Sequence, residues 1–331
     1  MINEVLLTQN KSNAKTIRDG FGEGLLEAGK NNPNLVVLTA DLEESTRVNL
    51  FAREFKERFF EVGVAEQALV TIASGMANYG KVAVATSFGV FVPGRCLEQI
   101  RTTIAINNLP VVLVGSHGGF SAGADGATHQ ALEDIAITRT LPNMTVISPC
   151  DFWEAKKAII EVVKLKKPVY LRLEREGIDL LTDEKTDFKI GKALVLKDSK
   201  EPQITFFGYG SILSEVLKAA NLLEDSGIAS RVVNISTIKP IDREEILHSA
   251  RISGCLVSVE AHQKAGGLGS AIAEVLSSNF PVPLEIMGVD DSFGESGKTF
   301  ELLEKHHLTA PFIKERAMLA LQRKTDNFLY R

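Results

Sequence analysis

Cysteine is scarce: Cys96, Cys150 and Cys255 are the only three in 331 residues. They stand far apart and form no CxxC pair, so nothing suggests a disulfide framework. They read as reduced thiols of a cytoplasmic protein. Long apolar runs are missing too. One of the longest, residues 109–115, is far too short to span a bilayer, so no membrane is expected as a partner. The first residues, MINEVLLTQNKSNAK, lack the charged-then-apolar order and cleavage site of a signal segment. No basic tail or stripe stands out and the formal net charge is -5, which argues against nucleic acid as a partner.

What remains is the composition of a soluble globular protein, 44% hydrophobic and 24% charged. Apolar, β-branched runs at 35–40, 82–86, 111–116, 145–149 and 169–173 predict strands, with helical patterns near 17–30, 65–79, 95–107 and 152–165 between them. Nearly continuous apolar strands separated by helices imply a parallel sheet covered on both faces. Between 174 and 192 the alternation lapses into charged and polar residues, TDEKTD among them, which predicts a domain boundary there. Residues 1–185 are expected to form one domain and 186–331 another. The alternation restarts with strands at 204–207, 231–235, 256–260 and 284–287. Helices are expected near 211–225, 243–250, 268–277 and 311–323. The expected fold class is α/β, with two doubly wound, mostly parallel domains.

Several segments carry chemistry. In FFEVGVAEQ, residues 59–67, a strand ends at Gly63 and a helix begins near Ala65, so Glu66 falls in the first helical turn. An acidic residue there complements the helix dipole in any protein. It also stands at the carboxyl end of a parallel strand, where α/β sheets bind ligands. Small apolar neighbours would raise its pKa and let it share a proton with a bound heterocycle. In TSFGVFVPGRCLEQIR, residues 86–101, Phe88 and Phe91 are either core or a flat platform on which a ring can stack.

The richest segment is SHGGFSAGADGATHQALED, residues 116–134, where glycines surround His117, Asp125 and His129. A glycine-rich loop after a strand lets the backbone approach a ligand closely. The spacing matches no common zinc pattern, and the absence of GK[ST] rules out a phosphate P-loop. A simpler role for His129 is support of the following helix. Asp41 lies at a strand end, with Ser45 and Arg47 shortly after. Arg18 opens the first helix, and Arg172 and Arg175 end a strand. Arginines are mostly surface charges, yet several at one sheet edge could clamp a sugar phosphate. AHQKAGGLGSAIAE, residues 261–274, offers a helix start like an anion site. It lacks GxGxxG and is read as close packing or a subunit contact.

The strings RDGFGEGLLE, LTADLEES, FFEVGVAEQ, TSFGVFVPGR, SHGGFSAGADGATHQALEDIA, PNMTVISPCD and DSFGESG, in that order, resemble the transketolase family over nearly the whole chain. That family has three α/β domains, and the resemblance is to the second (pyrimidine-binding) and third (C-terminal). The first holds the cofactor's diphosphate through a metal ion, with a GDG motif followed at a distance by Asn, and no such motif occurs here. The resemblance therefore implies the C-terminal section of a split transketolase. It implies thiamine diphosphate shared with an N-terminal-half partner subunit that holds Mg2+ or Ca2+, in an α2β2 heterotetramer.

By the same resemblance, Glu66 hydrogen-bonds N1′ of the aminopyrimidine and, with His129, is catalytic. Phe88 and Phe91 stack on the pyrimidine. A third family aromatic has no match, because Pro93, Gly94 and Arg95 occupy that stretch. Asp41 lies beside the cofactor at the subunit junction. His117 faces the phosphate end of the substrate, and Asp125 and His129 bind oxygens near the reacting carbons. Arg18, Ser45 and Arg175 hold the sugar phosphate. The implied reaction moves a two-carbon ketol unit from a ketose phosphate to an aldose. Rival readings are a β-type subunit of a 2-oxoacid dehydrogenase, a deoxyxylulose phosphate synthase-like enzyme, and a non-catalytic scaffold. The first does not normally carry DGATHQALED. Retention of Glu66, Phe88, Asp125, His129 and Arg175 together argues against the last.

Overall fold

The computed structural model describes residues 15–175 and 179–329; the N-terminal stretch read for a signal segment, up to residue 14, lies outside them. The first half alternates strand and helix: α1 (Ile17–Asn31), β1 (Leu35–Thr39), α2 (Asn49–Glu54), β2 (Phe59–Glu61), α3 (Glu66–Asn78), β3 (Val82–Phe88), α4 (Leu97–Gln99), β4 (Val111–Ser116), α5 (Asp134–Arg139), β5 (Thr145–Ile147), α6 (Phe152–Val162) and β6 (Val169–Arg172). The second half continues with β7 (Leu194–Lys197), β8 (Ile204–Gly208), α7 (Leu213–Glu224), β9 (Ser230–Asn234), β10 (Thr237–Lys239), α8 (Arg243–Ser253), β11 (Leu256–Gln263), α9 (Leu268–Asn279), β12 (Leu284–Val289), α10 (Thr299–Lys305) and α11 (Ala310–Leu329).

These strands build two sheets, ordered β10-β5-β6-β4-β3-β1-β2 and β12-β11-β8-β9-β7. All pairings are parallel except β10 with β5 and β7 with β9. The central strands β1, β4 and β6 are buried along their whole length, which is why they read as unbroken apolar runs. The helix expected at 95–107 is compound. It opens as a 3-10 turn at Gly94–Cys96, passes through α4 and ends as a π segment, Ile100–Ala105. The short edge strands β7 and β10 were not anticipated. β10 follows β9 of the second sheet yet joins the first, with Thr237 opposite Ile147 and Lys239 opposite Val146.

Glycines decide two close approaches. Thr16 and Asp19 close a capping box at the start of α1, which then lies against α6. A methyl group on Gly20 would sit 2.0 Å from the Phe152 carbonyl oxygen, in backbone that cannot give way. Gly20→Ala is expected to lower stability by about 1–3 kcal/mol, read as a shift in urea midpoint at unchanged slope. An unchanged midpoint would mean that α1 and α6 part freely. In the second sheet, Glu260 accepts the Leu268 and Gly269 amides at 2.8 and 2.9 Å, so the acceptor at the start of α9 is the chain's own carboxyl group. Gly267 is needed there, since a methyl group would meet Glu260 Oε2 at 2.3 Å. Close packing within the chain therefore accounts for Gly267 of the AGGLG segment.

Candidate active site

Neighbouring parallel strands β6, β4, β3, β1 and β2 present their carboxyl ends along one edge of the first sheet. Each chain exit delivers a residue singled out in the sequence: Arg175 after β6, His117 after β4, Phe88 ending β3, Asp41 after β1 and Glu66 beyond β2. This is where open α/β sheets bind ligands. Glu61 ties two exits together, because its Oε1 accepts the amides of Asp41 at 2.8 Å and Gly63 at 2.7 Å. Asp41 takes the left-handed conformation (φ 57) to make that turn and is exposed.

Glu66 is 2% exposed and opens α3 with no side-chain cap before it. Its surroundings are not apolar throughout, contrary to the expectation above. Arg95 Nη1 lies 2.6 Å from Glu66 Oε2, and the same guanidinium lies 4.4 Å over the Phe91 ring. The 3-10 turn against α3 brings Arg95 there from 29 residues away.

From Phe91 a continuous aromatic array runs inward. Phe88 and Phe91 lie 6.1 Å apart and nearly parallel. His129 turns its ring edge to both, at 6.1 and 5.5 Å, rather than supporting a helix, and its Nδ1 pairs with Thr128. His117 lies 4.1 Å from Phe88, and its Nδ1 is 2.9 Å from Ser116 Oγ.

Beyond His117 stands a set of cations. Arg18, 8% exposed, donates to the Ser45 carbonyl at 2.6 Å and the Arg175 carbonyl at 3.3 Å. Ser45 thus enters through its backbone. Arg175 faces Asp125 at 3.6 Å, both half exposed. Burial, then Arg47 and Arg175, push Arg18 down to about 10. Burial, then Arg18, Arg175, His129 and Arg47, push His117 down to about 3. His117 is therefore a neutral hydrogen-bonding ring at ordinary pH, and the surrounding charge favours an anion.

The sign for stability follows. The folded pKa of His117 lies below the ordinary 6.5, so as pH falls the unfolded chain takes the proton first. Nothing is lost above about pH 6.5, and stability falls progressively from there toward about pH 3. At pH 5 the loss is about 2 kcal/mol. His117→Asn should flatten the melting temperature of the isolated chain between pH 7 and 5. Parallel curves for the two proteins would sink this account.

Comparison with known proteins fits this arrangement. The family model for the transketolase pyrimidine binding domain matches residues 13–179, and that for the transketolase C-terminal domain matches residues 191–313. The chain belongs to the transketolase family. A transketolase C-terminal section from Methanocaldococcus jannaschii is 42% identical over 313 residues, covering 94% of this chain and 98% of the relative. A 6-deoxy-6-sulfo-D-fructose transketolase subunit from a Clostridium species is 38% identical, covering 93% and 95%. The solved structure of a split gene transketolase, described as an inactive β4 tetramer, superposes with a TM-score of 0.86 at 40% identity, covering 94% of this chain and all of that one. Membership of a family with a pyrimidine-binding domain implies thiamine diphosphate as the cofactor.

In this chain, three groups lie at the site to which the resemblance gave no role. Arg95 is the first. Arg47 pairs with Asp19 at 2.7 Å and adds positive charge around His117. The third is the segment around Lys298, from the second half. A cleft of about 650 Å³ runs between Ser121, Gly123 and Arg175 on one side and Gly297, Lys298 and Phe300 on the other. Gln130 Nε2 donates to the Glu295 carbonyl at 2.8 Å, and Thr299 Oγ1 to the Phe120 carbonyl at 3.3 Å, so this segment backs the glycine-rich loop. The string DSFGESG was the available signal, but nothing in it named a function. Arg172, conversely, is no sugar clamp. It is fully buried, 3.0 Å from Asp134, and donates to the Ala261 carbonyl at 2.9 Å. Among the described residues no group of three or more His, Cys, Asp or Glu is placed to hold a metal ion, and no helix is long and apolar enough to cross a membrane.

Proposed function

We propose that this chain is the C-terminal subunit of a split, thiamine diphosphate-dependent transketolase, transferring a two-carbon ketol unit from a ketose phosphate to an aldose. The observation that carries the reading is Glu66, a carboxylate almost wholly withdrawn from water beside the Phe88–Phe91 pair and His129. The place fits an aminopyrimidine: a flat group that donates N–H to Glu66 while lying on Phe91 already occupies it, namely the Arg95 guanidinium.

Bound thiamine diphosphate would supply the nucleophilic carbon and the electron sink. Glu66 would hold a proton at the ring's N1′, Phe88 and Phe91 would fix the ring plane, and Asp41 would lie at the subunit junction. His129 and Asp125 would bind oxygens near the reacting carbons, with His129 moving a proton there. Arg18, Arg175 and the turn at Ser45 would hold the anionic end of the sugar, with neutral His117 donating or accepting beside them. The diphosphate and its Mg2+ or Ca2+ would belong to an N-terminal-half partner subunit in an α2β2 assembly. Uncovered apolar side chains on the helices that flank the sheet support such a partner: Val64, at 73% exposed, stands at the site end of α3, while Tyr79, at 91%, and Ile106, at 62%, stand at the far ends of α3 and of the neighbouring helix. A relative that this chain covers in full, described as an inactive β4 tetramer, points the same way.

The test is ketol transfer from xylulose 5-phosphate to ribose 5-phosphate with thiamine diphosphate and magnesium. It is run with the chain alone and mixed with a chain carrying the GDG…N domain. Activity in the mixture only is the expected result. Activity of the chain alone would remove the need for a partner. Turnover of pyruvate with glyceraldehyde 3-phosphate instead would replace the transferase reading with a synthase.

A further inference from the structure

We propose that Arg95 is a placeholder for the aminopyrimidine, a side chain that occupies the ring's position in the unassembled chain and must swing out before the cofactor can bind. The inference rests on the functional reading above and concerns a residue for which that reading has no role. Its guanidinium is planar, cationic and rich in N–H donors, as is a protonated aminopyrimidine. It makes both contacts that the ring needs, a 2.6 Å bond to Glu66 Oε2 and a cation–π contact with its Cζ 4.4 Å from the centre of the Phe91 ring. A flat donor bound to Glu66 and stacked on that face cannot coexist with it.

The geometry also shows how it would leave. The backbone at Arg95 is pinned, with its amide bonded to the Phe91 carbonyl at 3.0 Å and its carbonyl accepting from Gln67 Nε2 at 3.2 Å. The side chain, by contrast, is 47% exposed. Release therefore needs only rotation about side-chain bonds into solvent, with no movement of the sheet edge. While seated, the guanidinium neutralises a buried carboxylate that would otherwise stand alone. It thereby keeps the pocket stable until the ring arrives.

The experiment measures thiamine diphosphate binding to the mixed two-chain complex, by tryptophan fluorescence or calorimetry, for the natural chain, Arg95→Ala and Arg95→Met. The Met variant preserves packing on Phe91 should the Ala variant fold poorly. Both are expected to bind roughly tenfold more tightly and to associate faster, because the competitor is gone. Ethylguanidinium ion should then inhibit binding competitively in Arg95→Ala and have little effect on the natural chain, a response that a merely structural role would not produce. Weaker binding in both variants would make Arg95 a support for the cofactor and overturn the proposal. So would equal binding, or an absent ethylguanidinium effect. If the natural complex binds no thiamine diphosphate under any condition, the functional reading itself fails; if it binds and the variants match it, only the placeholder fails.

Discussion

Glu66→Ala, assayed in the mixed complex, is expected to lose ketol transfer by a factor of about 100 to 10,000, the range for removing a positioned proton-transfer group. Folding should survive. The carboxylate is 2% exposed, but its partner Arg95 is half exposed and can turn to water, so the lost pair is worth only about 0–1 kcal/mol. Glu66→Gln separates two possibilities, because it keeps the shape and a hydrogen bond but cannot carry the proton. Proton handling predicts that both variants are equally poor, whereas simple cofactor retention predicts that Gln recovers. Initial rates at saturating cofactor, with circular dichroism melts alongside, decide it. A loss smaller than about threefold would remove Glu66 from the chemistry and leave its burial without purpose.

The second large effect concerns stability. Asp134→Ala should cost about 3–5 kcal/mol, the range for breaking a buried ion pair by removing one partner. Asp134 Oδ2 lies 2.7 Å from the Tyr170 hydroxyl and 3.0 Å from Arg172 Nε, and Arg172 has no exposed surface. Without Asp134, the nearest carboxylate to that guanidinium among the described residues is Glu174, at 3.5 Å. Arg172 also donates to Ala261 in β11, so the change loosens the contact between the two sheets as well as the site edge. Replacing Arg172 by Met in the same protein should recover part of the loss, because no uncompensated charge stays buried. Chemical denaturation of the natural chain and the two variants tests this, and a cost under about 1 kcal/mol for Asp134→Ala would show that water reaches Arg172.

Residues 111–116 illustrate what the sequence made legible. The run is apolar nearly throughout because both faces of β4 are covered, and its predicted limits coincide with the observed Val111–Ser116. Helix starts were equally readable where a side chain caps them, as at Thr16 and Asp151. Leu194–Lys197 and Thr237–Lys239 left no such mark. They are three or four residues long, partly exposed, and defined by the strand they meet rather than by their own pattern. The site divides in the same way. Glu66, Phe88, His117 and Arg175 could be singled out because each follows or ends a strand on one sheet edge. Arg172 and Arg175 share a residue type and lie three positions apart, yet one is locked in a buried ion network and the other faces the cleft. Only the path of the chain after β6 distinguishes them. Arg95 was noticed only as a missing aromatic. Its hold on Glu66 depends on a turn and a rotamer, and neither is encoded in local periodicity.

Thr237–Lys239 forms the outer strand of the sheet that carries Glu66, although it is translated more than sixty residues after that sheet's other strands. A polypeptide cut between Arg172 and Leu194 would leave the flank of Thr145–Ile147 without its neighbour and open to pairing with foreign chains. The two sheets are therefore one unit of inheritance. Recombination that exchanged the second half for a distant cousin's would have to bring a compatible edge for the first, so a viable gene break has to fall outside this pair of sheets.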